Sequence, residues 1–169
     1  MSKQKSKSRG RLSAIRLVAF DVDGVFTDGR FYLSDAGVES KSFCTLDGFG
    51  IRKMLKSGIQ VAVISGRRSR AVEIRMQELG VIHVALGCAD KVQAFERVCD
   101  SLGIDKSECV YVGDDIPDLP LLRQVGFSVA VANSVAEVRQ ACDYTTTAAG
   151  GYGAVREVCD MILGATDRQ

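Results

Sequence analysis

Two carboxylates stand two residues apart at the end of an apolar run. Asp21 and Asp23 follow residues 15–20, which have the composition of a buried strand. Since residues i and i+2 of a strand project to the same side, the two carboxylates can share one small volume beyond the strand. Two like charges so close together require a cation, and Gly24 allows a sharp backbone turn beside a ligand. The pair therefore predicts a Mg²⁺ site next to a nucleophilic carboxylate.

Polar groups follow other apolar runs of the chain in the same way. A Ser-Gly-Arg segment follows residues 61–64, a lysine opens an amphipathic segment, and a Gly-Asp-Asp segment follows residues 109–112. The residues concerned are Ser65, Gly66, Arg67, Lys91, Asp114, Asp115 and Asp118. An isolated Asp-x-Asp-Gly segment more often forms a plain turn. Carboxylates, a hydroxyl and an ammonium at the carboxyl ends of parallel strands instead predict one ligand site.

The elements that must position these groups alternate along the chain. Strands are predicted near residues 16–22, 60–65, 82–86, 109–113, 127–131 and 143–146, with amphipathic helices between them. Glycines that follow periodic segments are expected to end helices at Gly58, Gly80, Gly103 and Gly164. The alternation predicts an α/β fold with a doubly wound, mainly parallel, Rossmann-like sheet that carries helices on both faces.

One segment interrupts this alternation. Residues 30–33 and 38–43, separated by Ser-Asp-Ala-Gly, predict a β-hairpin inserted directly after the first strand. A two-stranded ribbon is only marginally stable alone, so we expect it to pack on something else. Its partner is either another subunit or its own chain.

Length and composition agree with one domain. The 169 residues, 46% of them apolar, can enclose a sizeable core. We predict a basic flexible tail over residues 1–12 and a single domain over residues 13–169. Five basic residues lie in the first eleven, and without them the chain has 17 basic and 21 acidic side chains.

The basic start favours a solubilising tail over a nucleic-acid contact, since no aromatic residues interleave its charges. Arg16 breaks the first apolar run, which argues against a signal peptide, and no run approaches the length of a membrane span. We therefore expect a cytoplasmic protein with neither a nucleic-acid nor a membrane partner.

The motifs together are similar to those of the haloacid dehalogenase superfamily of phosphatases. The similarity lies in Asp21-Val-Asp-Gly-Val-Phe-Thr27, Ser65, Lys91 and Gly113-Asp-Asp115. Further segments resemble the small members that lack a cap domain, namely Asp28-Gly29, Thr45-Leu-Asp-Gly-Phe-Gly50, Ile64-Ser-Gly-Arg67 and Gly150-Gly-Tyr-Gly-Ala-Val-Arg-Glu157. The resemblance implies a capless, Mg²⁺-dependent phosphoric monoester hydrolase. Its implied substrate is a phosphorylated eight-carbon sugar acid of lipopolysaccharide precursor synthesis.

The resemblance also implies roles for the first and last motifs. Asp21 is the expected nucleophile, which forms an aspartyl-phosphate, and Asp23 is the expected general acid and base. The Asp21 carboxylate, the backbone carbonyl of Asp23 and Asp114 are expected to hold Mg²⁺. Asp118 is expected to orient Lys91 or a metal-bound water. Asp115 is expected either to act in the site or to cap the following helix.

The remaining candidates are expected to bind substrate. Ser65, Gly66 and Lys91 can receive the phosphate oxygens. Arg67 and Arg75 are candidate anchors for a sugar carboxylate, because guanidinium groups bind carboxylates through two parallel hydrogen bonds. The alternative for Arg75 is that it belongs, with Arg68 and Arg70, to the exposed face of a helix. Asp47 and Gly48 either lie at the pocket rim or belong to a helix cap.

Three alternatives to this function stay open at the sequence level. The substrate could be a nine-carbon sialic-type sugar acid phosphate, which the motifs do not separate from the eight-carbon acid. A phosphate-receiver domain also places aspartates and Mg²⁺ on a parallel sheet, but it has no need for an acid at position 23. A non-catalytic scaffold is the third alternative. The resemblance further implies a homotetramer joined through the hairpin.

Overall fold

A parallel sheet forms the centre of the computed structural model, which describes residues 10–166. The strands are β1 (Leu17–Phe20), β2 (Tyr32–Leu33), β3 (Glu39–Ser40), β4 (Gln60–Ser65), β5 (His83–Leu86), β6 (Cys109–Gly113), β7 (Phe127–Ala130) and β8 (Tyr144–Thr145). Six of them pair in the order β5-β4-β1-β6-β7-β8, and every neighbouring pair is parallel. This confirms the predicted Rossmann-like sheet.

Helices cover both faces of this sheet. They are α1 (Thr45–Lys56), α2 (Arg70–Leu79), α3 (Lys91–Leu102), α4 (Leu119–Leu122), α5 (Ala136–Ala141) and α6 (Ala154–Thr166). Successive strand side chains point to opposite faces, so Val18 and Phe20 pack with α1, α2 and α6, whereas Leu17 and Ala19 pack with α3, α4 and α5. The doubly wound arrangement is thus confirmed. None of these helices is long and apolar enough to span a bilayer.

Glycines follow three of the helices as predicted. Gly58, Gly80 and Gly103 follow α1, α2 and α3 with positive φ of 83°, 82° and 60°. The prediction for Gly164 was wrong, because α6 continues through it to Thr166. Neighbouring Leu163 and Ala165 both pack on the core, so burial holds this last turn helical despite the glycine.

The inserted hairpin is present but shorter than predicted. Tyr32 pairs with Ser40 and Leu33 with Glu39 in an antiparallel ribbon. The Ser34 amide closes the turn by donating to the Val38 carbonyl over 3.0 Å. Each strand has only two residues, since the backbone beyond the ribbon turns toward the carboxyl edge of the main sheet.

The start of the described chain is packed against the domain. Residues 10–13 are helical, and Leu12 belongs to the apolar core. Arg11 pairs with Asp143 at 2.8 Å. The tail boundary predicted after residue 12 therefore lies too far along the chain, because Leu12 is buried and Arg11 has a carboxylate partner. Residues 1–9 of the predicted tail lie outside the described residues.

The order of the strands creates the crevice that the site needs. The chain fills one side of β1 with β4 and β5 and then crosses to the other side with β6. Such a reversal leaves a crevice at the carboxyl edge, where α/β sheets bind ligands. Asp21 follows β1, Ser65 ends β4 and Asp114 follows β6, so three of the motifs meet there.

Candidate active site

A pocket of about 320 Å³ opens at the carboxyl edge of the sheet. It is lined by Asp21, Asp23, Gly29, Ser65, Gly66, Arg67, Lys91, Asp114, Asp115, Pro117 and Asp118. Nine of the twelve residues that the sequence predicts for the site are among them. The fold thus brings together residues that are up to 97 positions apart in the chain.

Three carboxylates concentrate negative charge in this pocket. Asp21, Asp114 and Asp118 each offer an oxygen, and these oxygens lie within 4.8 Å of one another. Burial, with the charge of Asp118, raises the pKa of Asp21 to about 6. Burial, with the charges of Asp21 and Asp118, raises the pKa of Asp114 to about 8. Crowded carboxylate oxygens with this excess of negative charge fit a hard cation such as Mg²⁺.

Asp118 is the most fully engaged of the three carboxylates. Its Oδ1 accepts hydrogen bonds from Lys91 Nζ at 2.8 Å and from the Tyr111 hydroxyl at 2.7 Å. Its Oδ2 accepts from the backbone amides of Asp114 and Asp115, at 3.0 and 3.3 Å. These bonds make Asp118 a support for the motif and for Lys91. Asp115 is exposed and caps the following turn through the Ile116 amide.

Lys91 lies between two of these carboxylates. It is the first residue of α3, and its ammonium is 3.0 Å from Asp21 and 2.8 Å from Asp118. Burial alone would lower the pKa of Lys91, but the two carboxylates outweigh it and raise this pKa above its ordinary value. Lys91 therefore stays charged and is aimed at the oxygen of Asp21.

Ser65 and Arg67 also line the pocket. Ser65 is buried, and its Oγ accepts a hydrogen bond from the Arg67 amide at 3.3 Å. The Arg67 guanidinium stacks over the Phe31 ring at 4.2 Å and pairs with Glu39 at 2.8 Å. A hydroxyl and a guanidinium thus line the pocket together with the carboxylates, and the guanidinium is tied to the hairpin.

Sequence reasoning missed the residue that holds Asp23. Lys41, just beyond β3, hydrogen-bonds the Asp23 carboxylate and lies 3.7 Å from Glu39. The spacing of Glu39 and Lys41 carried a signal, because an acid and a base at i and i+2 share one side of a strand. That side of the hairpin could have been predicted to face a charged site.

Three predicted substrate-binding residues do not line the pocket. Asp47 is buried in α1 and accepts a hydrogen bond from the Arg156 amide at 2.8 Å, at the start of α6. Arg75 pairs with Glu78 at 2.8 Å on α2. A Cβ at Gly48 would come within 2.4 Å of the Arg75 guanidinium, so the glycine makes room for that side chain. Asp47 thus lies inside α1, whose N-cap is Cys44, and binds an amide at the start of α6. The Arg75 side chain is only 19% exposed, so it does not lie on an exposed helix face.

Comparisons with known proteins agree with this geometry. Residues 80–157 match the model of the haloacid dehalogenase-like hydrolases. The 3-deoxy-D-manno-octulosonate 8-phosphate phosphatase KdsC of Salmonella typhi is 46% identical over 149 residues, which cover 88% of this chain and 79% of that protein. This chain belongs to the haloacid dehalogenase-like hydrolases.

Solved structures of related hydrolases share the whole fold. The 3-deoxy-D-manno-octulosonate 8-phosphate phosphatase of Yersinia pestis superposes with a TM-score of 0.93 at 43% identity, over 95% of this chain and 86% of that one. The Moraxella catarrhalis phosphatase of the same name also has a TM-score of 0.93, at 42% identity, over 96% and 93% of the two chains. Its structure is a complex with a magnesium ion, a phosphate ion and KDO.

In this hydrolase, the loop after the first motif is braced by the C-terminal part of the chain. The Gly24 carbonyl accepts a hydrogen bond from Asn133 Nδ2 at 3.0 Å, and Asn133 Oδ1 accepts one from the Gly150 amide at 2.6 Å. A Cβ at Gly150 would lie only 1.7 Å from the Gly24 carbonyl oxygen. The glycine run therefore packs directly behind the loop that follows Asp23.

Proposed function

We propose that this chain hydrolyses 3-deoxy-D-manno-octulosonate 8-phosphate to the free sugar acid and phosphate, with Mg²⁺, as a step toward a lipopolysaccharide precursor. The observation that carries the proposal is the meeting of Asp21, Lys91 and Asp114 in one pocket of an α/β fold. The substrate follows from the relatives, which have this name at 46% identity and, in one case, hold KDO with magnesium and phosphate.

Asp21 is the proposed nucleophile. Its carboxylate attacks phosphorus, the bond from phosphorus to the sugar oxygen breaks, and an aspartyl-phosphate forms. A pKa of about 6 keeps Asp21 ionised at neutral pH, as this attack requires. Lys91, 3.0 Å from Asp21 Oδ1, is placed to balance charge on the phosphoryl oxygens as they move between donor and acceptor.

Asp23 is the proposed general acid and base. It gives a proton to the leaving sugar oxygen, then takes a proton from the water that attacks the aspartyl-phosphate. That second step releases phosphate and restores Asp21. The buried Ser65 hydroxyl and the Gly66 backbone, which line the same pocket, are proposed to receive phosphate oxygens.

The carboxylates of Asp21 and Asp114 and the backbone carbonyl of Asp23 are the proposed Mg²⁺ ligands. Bound Mg²⁺ would neutralise part of the charge on the phosphate oxygens and lower the cost of anionic attack. The crowding of acidic oxygens in the pocket supports this assignment. Asp118 is proposed to stay outside the ligand set, since its oxygens already accept four hydrogen bonds.

Arg67 is the proposed anchor for the carboxylate of the sugar acid. The assignment is supported by its place in the pocket lining and by the 2.8 Å contact that its Nη2 makes with the Glu39 carboxylate. The contacts of Arg75, Asp47 and Gly48 give no support to a substrate role within this chain.

We also propose that the hairpin joins subunits into a homotetramer. Tyr32, Leu33 and Val38 are large apolar residues that the described chain leaves exposed on it. Sedimentation velocity should give a tetramer mass, and Leu33→Glu should reduce that mass by placing a charge in the interface. A monomer mass for the unaltered chain would contradict this proposal.

The test of the function is phosphate release with Mg²⁺ from a panel of phosphates. The panel contains 3-deoxy-D-manno-octulosonate 8-phosphate, a nine-carbon sialic-type homologue and simple hexose phosphates. Asp21→Asn serves as the blank, and Asp35→Asn, the same change in the exposed hairpin turn, serves as the matched control.

We expect strong preference for the eight-carbon substrate, abolished by Asp21→Asn or a chelator and kept by Asp35→Asn. Preference for the nine-carbon phosphate would preserve the chemistry and overturn the substrate. No release from any member of the panel would refute the phosphatase function.

A further inference from the structure

Lys41 is enclosed to a degree that is unusual for a lysine. Its side chain is 0% exposed, although it follows a short strand of a surface hairpin. Lysine is almost never fully buried unless its charge is paired. None of the steps proposed above involves Lys41.

The surroundings of Lys41 supply the charge that its burial requires. Its ammonium hydrogen-bonds Asp23 Oδ1, lies 3.7 Å from Glu39 Oε1 and sits 5.5 Å from the centre of the Phe31 ring. Two carboxylates and an aromatic face replace the water that a lysine head group normally keeps. Because the whole side chain is enclosed, the ammonium has little room to move.

The two oxygens of Asp23 are consequently in different situations. Oδ1 is held by the enclosed Lys41, whereas Oδ2 has a longer contact of 3.7 Å with Nε of Arg67. The Arg67 side chain is 50% exposed, so this second contact can yield to a substrate. The carboxylate itself is 23% exposed, and it lines the pocket. Oδ2 is therefore the oxygen that is available for proton exchange.

We propose that Lys41 is a positioning residue for Asp23, which it holds through Oδ1 so that Oδ2 meets the reacting oxygen. This inference rests on the acid and base role proposed for Asp23. The Oδ2 proton passes to the sugar oxygen as its bond to phosphorus breaks. A proton of the attacking water returns to Oδ2 as the bond between phosphorus and Asp21 breaks. Lys41 keeps its own protons throughout.

The leaving group of the substrate provides the readout. A sugar alkoxide needs a proton in order to leave, whereas p-nitrophenolate leaves without one. We compare kcat/KM, which reports on the steps up to departure of the leaving group, for 3-deoxy-D-manno-octulosonate 8-phosphate and p-nitrophenyl phosphate. The full chain is assayed with Mg²⁺.

Lys41→Met keeps an unbranched side chain that is one atom shorter and removes its charge and donors. We expect kcat/KM to fall ~10- to 100-fold for the sugar phosphate, within the range that a positioned acid contributes, and less than ~3-fold for the aryl phosphate, whose departure needs no acid. Lys41→Gln keeps an N–H donor and should recover part of the loss. Ser42→Ala, an exposed neighbour, should match the unaltered chain.

A second background separates positioning from stability. In an Asp23→Asn chain, adding Lys41→Met should change kcat/KM less than ~2-fold, because contacting residues that act as a unit are not additive. Equal losses for both substrates, or a further large loss in the Asp23→Asn background, would overturn the proposal.

The proposed role of Asp23 can fail separately. Full activity of Asp23→Asn toward the sugar phosphate would remove that role, and the role of Lys41 with it. Circular dichroism melts confirm that each variant folds. If Lys41→Met does not fold, Lys41→Gln replaces it in the comparison of kcat/KM for the two substrates.

Discussion

Replacing Asp114 by asparagine should stabilise the metal-free protein at neutral and alkaline pH. Burial and the charges of Asp21 and Asp118 raise the pKa of Asp114 from 3.8 to about 8. Between about pH 4 and pH 8, Asp114 therefore keeps a proton in the folded protein that it has released in the unfolded chain. Stability therefore falls as the pH rises from about 4 to about 8. Asparagine has no proton to lose, so the variant should lack this part of the decline.

The size of the effect follows from the same values. One pKa unit is worth about 1.36 kcal/mol, which sets an upper limit of ~4 kcal/mol on the gain at pH 7. Asp114 is half-buried, and the pocket can relax around an ionised carboxylate. We therefore expect about half of that limit, ~2 kcal/mol. With Mg²⁺ present, the unaltered chain should be more stable than the variant. An ion that binds only the folded state stabilises it, and the variant lacks one of the carboxylates proposed to bind the ion.

Urea unfolding with a chelator and with Mg²⁺, each at pH 5 and pH 8, measures both effects. Asp35→Asn is the matched control, since it removes the same charge from an exposed residue of the hairpin turn and should leave the pH dependence unchanged. A metal-free Asp114→Asn protein that is no more stable than the unaltered chain at pH 8 would refute the reasoning. Equal stabilisation of both proteins by Mg²⁺ would contradict the ligand assignment.

Three further predictions concern groups around the site. Tyr111→Phe removes the hydroxyl that donates to Asp118 and should lower the free energy of unfolding by ~1–2 kcal/mol; an unchanged urea midpoint would contradict this. Gly150→Ala places a Cβ against the Gly24 carbonyl and should cost more than ~3 kcal/mol, with a lower Tm and less phosphate release. Burial raises the pKa of Asp47 to about 6, so Asp47→Asn should gain ~1–2 kcal/mol in relative stability as the pH rises from about 4 to 6. Unfolding at pH 4.5 and 7.5 tests this, and a constant difference between the two proteins would refute it.

The sequence predicted the central strands and the residues directly beyond them. Val18 and Phe20 face one layer of helices, Leu17 and Ala19 the other, and a strand buried on both faces reads as a continuous apolar run. A polar residue that directly follows such a run has its position set by the sheet. This is why the sequence alone could predict that Asp21 shares one pocket with the other motif residues.

Positions that depend on how separate elements pack were harder to predict. Asp47 lies on a helix, and only the approach of α6 decides that its carboxylate meets the Arg156 amide instead of the pocket. Lys41 is enclosed only because the chain beyond the hairpin turns back toward Asp23. The Tyr111 hydroxyl was concealed inside an apolar strand, although it hydrogen-bonds Asp118. In each case the deciding partner lies on a different element of the fold and leaves no periodic signal.

The hydrogen bonds that hold the loop after Asp23 determine when the folded site can form during protein synthesis. The Gly24 carbonyl accepts a hydrogen bond from the Asn133 side chain, and that side chain accepts one from the Gly150 amide. β1 also needs β6, some ninety residues later, as its neighbour in the sheet. A nascent chain that has emerged from the ribosome only as far as Lys91 contains Asp21, the proposed nucleophile, and Ser65 but lacks the residues that brace the loop after Asp23. Catalytic competence should therefore arise late in synthesis, when the glycine run at 150–151 has left the exit tunnel and docked.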